Sequence, residues 1–279
     1  MKKFLYPILI LFVFMATQAV AGIMIAGVSA ASHPEALEEM MNTGDTNVFT
    51  SMIDTDSLSV AIIASGFVTI VVLALMRMID WKKVLNVNMI DWKNSWYAIV
   101  GAVAGVFALD VIEEMLDLPD LMEQTFTGMA NSTRGVLSIA VLGPIVEEFV
   151  FREGIEGYML RKGVSKWWAI GISAFIFGIV HLNPAQVPFA AAMGVLFGII
   201  YYKSGNIVLT TILHIVNNSV AVWQMNVLGE DAKDFKIVEW LGGTWTAVGA
   251  ICAGLGLCGL WMINFWHLYR AKEITNNNH

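Results

Sequence analysis

Long uninterrupted apolar runs recur along this 279-residue chain and restrict it to one kind of fold. Several reach roughly 18 residues or more, which is long enough to cross about 30 Å of hydrocarbon as a helix. Within lipid only a helix or a closed barrel satisfies the backbone, and these runs do not alternate as barrel strands do. We therefore predict an all-α, polytopic transmembrane helical bundle that forms a single integral membrane domain over residues 1–279.

Charged residues are scarce, which agrees with a membrane location. They make up 14% of the sequence, whereas soluble domains carry about 25%. The net charge of −7 gives no electrostatic case for a nucleic-acid partner. Cys252 and Cys258 share one apolar run and would point to different faces of a helix, so we expect neither a disulfide nor a thiolate metal site.

About eight apolar runs are candidates for membrane helices. Lys and Arg favour the cytoplasmic side of a membrane, so their distribution predicts the orientation. With the N-terminus in the cytoplasm, every basic residue except Arg134, Lys233 and Lys236 lies on the cytoplasmic side, and acidic residues collect in outer loops such as 30–57. We predict a multi-pass protein of a bacterial cell membrane with both termini cytoplasmic. The predicted spans are Phe4–Ser29, Leu58–Met78, Trp96–Ile112, Gly135–Phe151, Trp167–Leu182, Val187–Tyr202, Ile207–Met225 and Gly243–His267.

The first span allows two interpretations. Lys2 and Lys3 precede it, and the sequence Ala19-Val20-Ala21 could be the cleavage site of a secretory signal. The apolar stretch continues past that site to about residue 31, which favours a retained helix. Cleavage would leave the remaining helices in the same orientation.

The fourth span carries charges that are expensive to insert into a membrane. Each costs about 2.5–3.5 kcal/mol on insertion scales, so its presence indicates a function. Glu147 and Glu148 are adjacent, and Arg152 follows. Glu148 and Arg152 are spaced to pair on one helix face, which leaves Glu147 on a neighbouring face. Alternatively, the glutamates mark the end of a helix that Pro144 should kink just before them.

Polar residues in two other spans supply groups that Glu147 could meet. His181 lies in the fifth span, and His214 and Asn218 lie one turn apart in the seventh. Each could be an ordinary satisfied polar residue, and Asn218 could simply join helices. Because all of them need polar partners, we expect them to meet one another. In this topology His181 lies nearer the outside than Glu147 and His214, so a kink, a tilt or a shifted boundary is required.

Such a set of side chains can hydrolyse a peptide bond without a covalent nucleophile. Glu147 and a histidine can hold and deprotonate a water molecule. A second histidine and Asn218 can donate hydrogen bonds to the oxyanion. Glu147, His181 and His214 could instead bind zinc with an open position for water, although the His-Glu-x-x-His signature of soluble zinc proteases is absent. The sequence leaves both mechanisms open.

Three motifs, in this order and within membrane helices, resemble those of the CAAX-protease and bacteriocin-processing family, also called the Abi or CPBP family. The family pattern is Glu-Glu-x-x-x-Arg, then Phe-x-x-x-His, then His-x-x-x-Asn/Asp, and here the motifs begin at Glu147, Phe177 and His214. The resemblance covers about residues 135–225, which it identifies as the catalytic core.

The resemblance implies that Glu147 is the catalytic base, that His181 positions the water, and that His214 and Asn218 line the oxyanion site. Glu148 and Arg152 would have supporting roles. The family is described both as metalloproteases and as glutamate-dependent proteases, so we expect no required metal and keep zinc as the alternative.

The resemblance also implies a function. The chain would be an endopeptidase acting on a membrane-associated protein or hydrophobic peptide within the lipid bilayer. The alternative is a non-enzymatic immunity protein, scaffold or ion-relay transport protein, although no inverted repeat of the transporter kind is evident. The identity of the substrate and the oligomeric state do not follow from the sequence.

Overall fold

The computed structural model describes residues 2–44, 48, 53–84, 86–228 and 236–270, and in these residues it contains helices and turns but no strand. The predicted all-α fold is therefore confirmed. Lys233, part of the acidic loop (45–47 and 49–52) and the C-terminal residues 271–279 lie outside the described residues.

A long helical segment stands at each of the eight predicted spans. Short helices connect some of them, at Pro34–Thr43, Trp81–Val84, Val87–Met89, Glu123–Ala130 and Ile237–Trp240. The long segments are α1 (Lys2–Ser32), α2 (Thr55–Leu75), α3 (Trp92–Leu116), α4 (133–161), α5 (Lys166–Ile179), α6 (Gln186–Ser204), α7 (Val208–Leu228) and α8 (Thr244–Leu268).

Five of these helices, α1, α2, α3, α6 and α8, are long and apolar enough to cross a membrane. The chain is accordingly a multi-pass membrane protein. Helix α5 is apolar but has only 14 residues. Helices α4 and α7 carry charged and polar side chains of the predicted catalytic core, and α4 packs inside the bundle.

Three helix pairs make the bundle. Helix α8 lies along α3, α5 lies along α6, and α1 lies along α2. Helix α4 is central, because it contacts α1, α2, α5, α6 and α7. Its buried Phe151 packs edge-on against Phe14 of α1 and Phe177 of α5, with ring centroids 5.7 and 5.0 Å away. The Glu147-Glu148…Arg152 motif is therefore carried by the helix that most of the others surround.

Helix α4 departs from the predicted fourth span in length and in winding. It continues to Arg161 instead of ending at Phe151, and two of its stretches, Leu137–Leu142 and Glu148–Gly157, are π-helical. Between them is one α-helical stretch, Gly143–Glu147, that contains Pro144. A π-helical turn bonds residue i to residue i+5, so wider turns lie on both sides of Pro144. The kink expected at Pro144 stays a prediction.

The spacing of Gly194 and Gly198 predicts a close helix approach within the chain, and the structure shows that approach. A Cβ on Gly194 would lie 2.8 Å from the Cα of Ala174, so α6 touches the backbone of α5 at this point. A Cβ on Gly198 would lie 2.9 Å from Oε2 of Glu156. The two glycines thus pack α6 against α5 and against a buried carboxylate of α4.

Substitution of Gly194 by alanine should destabilise the protein by about 1–3 kcal/mol, because the added methyl group meets backbone that cannot move aside. The measurement is thermal unfolding of the purified protein in detergent. Gly171→Ala on the facing helix α5 is the matched control, since a Cβ there meets nothing within 4 Å. Equal unfolding temperatures for the two variants would contradict the close approach.

Candidate active site

The centre of the site is one imidazole held between two carboxylates. Nδ1 of His214 lies 3.1 Å from Oε1 of Glu148, and Nε2 lies 3.5 Å from Oε2 of Glu147. Adjacent glutamates on α4 point in different directions, as expected from the sequence, yet both reach His214. They do so because each carboxylate meets a different ring nitrogen: Glu148 meets Nδ1 and Glu147 meets Nε2.

Glu148 is completely buried, and Arg152 pairs with it from one turn further along α4. Nε of Arg152 lies 3.4 Å from Oε2 of Glu148, one turn along α4, which is the pairing predicted from their spacing. The guanidinium also lies over the ring of Phe177, 4.9 Å from the centroid, and within 5.9 Å of the Phe197 centroid. A guanidinium over aromatic faces is favourable where little water reaches it.

The neighbours of His214 assign its tautomer. An ionised carboxylate only accepts hydrogen bonds, so Nδ1 of His214 carries the hydrogen that is donated to Glu148. The other ring nitrogen, Nε2, faces the carboxylate of Glu147, to which it can donate only when it too carries a hydrogen. Glu148 therefore orients His214, and Arg152 neutralises the charge of Glu148.

Glu147 is the exposed member of this group. Its side chain is 26% exposed, whereas Glu148 and Arg152 are fully buried. It borders a cavity of about 50 Å³ between α1, α2 and α4, which Gln18 and Ser138 also line. A cavity measured in this way holds a water molecule once it exceeds about 10–15 Å³, provided that polar partners are present. The site thus has room for water beside the carboxylate.

His181 reaches the same region although the predicted topology placed it nearer the outside. Its Nδ1 donates to the carbonyl oxygen of Phe177 at 2.7 Å. The Phe177 ring lies 5.0 Å from the His181 ring and 5.8 Å from the His214 ring, edge-on to both. Helix α5 ends at Ile179, and its 14 residues span about 21 Å, so His181 lies short of a full crossing. Helix α4 runs on to Arg161 instead of ending at Phe151, so Glu147 lies further from the end of its helix than the predicted topology assumed.

Asn218 lies one turn beyond His214 but makes its contacts elsewhere. Its Nδ2 donates to the carbonyl oxygen of Ile139 at 2.9 Å, and its Oδ1 accepts from Nδ2 of Asn217 at 3.1 Å. It therefore ties α7 to the first π-helical stretch of α4. The hydrogen bond to Ile139 uses one of the two amide hydrogens of Asn218.

Two buried glutamates were missed by the sequence reasoning because the predicted fourth span ended too early. Glu153 and Glu156 are fully buried. Glu153 accepts from Tyr201 at 2.7 Å, from Arg161 at 2.5 Å and from the backbone of Asp80 at 3.1 Å. Glu156 has no hydrogen-bond partner in the described part of the chain and lies on the Arg152 side. Extending the helical periodicity from Glu148 to Arg161 would have placed both inside the bundle.

The predicted zinc ligands Glu147, His181 and His214 are not gathered around one point in this arrangement. Zinc takes histidine nitrogen and carboxylate oxygen at about 2.0–2.2 Å, from ligands that converge on one point. Nδ1 of His181 and Nδ1 of His214 each make a hydrogen bond to an oxygen, which leaves Nε2 of each ring as the nitrogen that could bind a metal. Within the described residues no three His, Cys, Asp or Glu side chains are grouped to hold a metal ion. Zinc therefore stays the alternative that the sequence left open.

Comparison with known sequences confirms the resemblance over the segment that carries this site. Residues 130–220 match the model of a family described as Type II CAAX prenyl endopeptidase Rce1-like. The chain is also 32% identical over 113 residues to the putative membrane peptidase YdiL of Bacillus subtilis (strain 168). It is 29% identical over 92 residues to the membrane-embedded CAAX protease MroQ of Staphylococcus aureus (strain USA300).

These similarities are partial. They cover 39% and 31% of this chain, and the chain spans 45% of the length of YdiL and 37% of the length of MroQ. No solved structure matches the chain. The matched family segment contains Glu147, His181, His214 and Asn218, and it excludes α1 and α2, which complete the cavity beside Glu147.

Proposed function

We propose that this chain, which resembles the CAAX proteases over residues 130–220, is an intramembrane endopeptidase that cleaves membrane-associated proteins or hydrophobic peptides. The observation that carries the proposal is the placement of His214 between Glu148, which is buried, and Glu147, which borders a cavity large enough for water. A carboxylate and an imidazole beside space for water are the groups that general-base hydrolysis requires.

In the proposed reaction Glu147 is the general base. It removes a proton from a water molecule while the water oxygen forms a bond to the carbonyl carbon of the substrate, and the carbonyl electrons move to its oxygen. The tetrahedral intermediate then collapses, the carbon–nitrogen bond breaks, and Glu147 returns the proton to the leaving amine. His214, oriented by Glu148 at Nδ1, donates to the developing oxyanion from Nε2 when that nitrogen carries a hydrogen.

The remaining residues have less direct roles in the proposal. Nδ1 of His181 carries the hydrogen donated to Phe177, so Nε2 of the neutral ring can accept from the attacking water. The second amide hydrogen of Asn218 is the one left for the oxyanion. No step of the proposed reaction needs zinc. The orientation, with both termini cytoplasmic, stays a prediction.

The alternative function is an ion or proton relay, and one feature favours it. Glu148, Arg152 and Glu156 follow one another along α4, and all three are fully buried. Such intramembrane charges also occur in proton pathways. A relay would keep working without peptide hydrolysis, so the two functions can be separated by experiment.

The test is cleavage by the full chain reconstituted in lipid vesicles. Peptides with a C-terminal lipid-modified cysteine and matched unmodified peptides serve as substrates, and mass spectrometry locates the cut. We expect cleavage that persists after treatment with a zinc chelator and that falls at least about 100-fold in His214→Phe, which removes both ring nitrogens. Unchanged cleavage in His214→Phe, or proton flux across the vesicles without cleavage of any peptide, would overturn the proposal.

A further inference from the structure

A second polar site lies where the ends of three helices meet, and it contains no residue of the catalytic motifs. Three aromatic rings from three helices meet there: Trp167 at the start of α5, Tyr202 near the end of α6 and Trp266 near the end of α8. Trp266 stacks between the other two, with centroids 6.3 Å from Trp167 and 5.8 Å from Tyr202 and an interplanar angle of 13° in each case. We call these three rings the aromatic platform.

Two lysine ammonium groups lie over this platform. Nζ of Lys166 is 4.5 Å from the centroid of Trp266, 5.3 Å from that of Trp167 and 5.5 Å from that of Tyr202. Nζ of Lys203 is 5.3 Å from the centroid of Trp266. Two positive charges are thus held beside the same ring by different helices.

No acidic side chain of the described residues forms an ion pair with these two lysines. The ion pairs found among the described residues involve Arg134, Arg152, Arg161 and His214, and neither lysine takes part in one. The charges that act on Lys203 are two further cations, Lys166 and Arg270. Like charges brought together in this way repel one another, so an anion bound between them would be stabilised.

The surroundings identify the class of anion. Trp and Tyr concentrate where a membrane helix meets the headgroup region, and basic pockets between helix ends on the cytoplasmic side bind anionic lipid headgroups. Helix α5 begins and helices α6 and α8 end at this site, which is the face predicted to be cytoplasmic. Trp167 is 60% exposed, so the platform has an open apolar side for an acyl chain.

We propose that Lys166 and Lys203, together with the aromatic platform, bind the phosphate headgroup of an anionic phospholipid. The headgroup phosphate lies between the two ammonium groups, and the proximal part of the lipid lies against Trp167 and Trp266. This site is independent of the proposed peptidase activity, since it shares no residue with the catalytic motifs.

The test measures retention of lipid by the full chain. The protein is placed in nanodiscs of phosphatidylcholine with increasing phosphatidylglycerol, and bound lipid is counted by native mass spectrometry. We expect preferential retention of phosphatidylglycerol by the wild-type chain and a loss of affinity of about 10- to 30-fold in Lys166→Gln/Lys203→Gln. Trp266→Ala should also weaken retention, because it removes the ring that both lysines share.

The matched control is Lys82→Gln/Lys162→Gln, which removes the same charge from the same predicted face. Lys162 lies over a single ring, that of Tyr158, at 5.5 Å, and Lys82 is exposed. An equal loss in the control would show general surface electrostatics and overturn the site, as would unchanged retention in Lys166→Gln/Lys203→Gln. Full competition by inorganic phosphate would identify a free-anion site and overturn the assignment to a lipid.

Discussion

Glutamine in place of Glu147 should lower the rate of peptide hydrolysis about 10²- to 10⁴-fold while the protein remains folded. The amide has nearly the same size as the carboxylate and can still contact His214, but it cannot accept a proton from water. Because the Glu147 side chain is 26% exposed and borders a cavity, its neutralisation leaves no buried charge without a partner. The measurement is the single-turnover cleavage rate in vesicles, together with the unfolding temperature.

Glu38→Gln is a suitable control for this variant. Glu38 is exposed on the short helix Pro34–Thr43 and has no part in the proposed reaction, so its cleavage rate should equal that of the wild type. A Glu147→Gln protein that still cleaves at a comparable rate would eliminate Glu147 as the base. A protein that no longer folds would show instead that Glu147 holds the bundle together.

Removal of the buried guanidinium should have the largest effect on stability. In Arg152→Met the carboxylate of Glu148 loses its cationic partner, and that of Glu156 loses the cation that faces it, in surroundings where both are fully buried. Breaking a buried ion pair from one side costs about 3–5 kcal/mol. We expect Arg152→Met to accumulate poorly in the membrane fraction and to unfold at a much lower temperature.

A charge-neutral combination separates this electrostatic cause from a loss of packing. The triple variant Glu148→Gln/Arg152→Met/Glu156→Gln removes the charges of all three buried side chains, so it should recover most of the lost stability. It should remain inactive, because the glutamine cannot hold His214 as the carboxylate does. Failure of the triple variant to recover would point to packing against Phe177 and Phe197 as the reason for the destabilisation.

Arg134→Met is the matched control for the single variant. Arg134 pairs with Asp56 at 3.2 Å, but both side chains are exposed, and exposed pairs contribute about 0–1 kcal/mol. Its unfolding temperature should therefore stay close to that of the wild type. If Arg134→Met and Arg152→Met were equally mild, burial would not be the property that makes Arg152 important.

The sequence was sufficient for the helical class, the approximate position of every long helix and the pairing of Glu148 with Arg152. These features depend on short-range physics. An apolar run must become a helix in lipid, because its backbone has no other partner there, and a spacing of four residues brings two side chains to one helix face. The same reasoning identified Glu147 and His214 as candidate site residues, since isolated polar groups in a membrane need polar partners.

Other features depend on contacts between residues that are far apart in the chain. The π-helical stretches around Pro144 extend α4 to Arg161 and bury Glu153 and Glu156, which a regular helix ending at Phe151 would have left at the surface. Whether Asn218 faces the catalytic water or the carbonyl oxygen of Ile139 is decided by how α7 packs against α4.

The sequence by itself determined which side chains are costly in a membrane, and hence which residues had to find partners. Only the tertiary structure decided which residues those partners are. Both glutamates contact His214, and the ring of Phe177 lies against the rings of both His181 and His214. The physical reason is that the free energy of burying a charge is a local property of the residue. The contacts that offset this cost come from side chains on several helices, so they depend on how those helices pack.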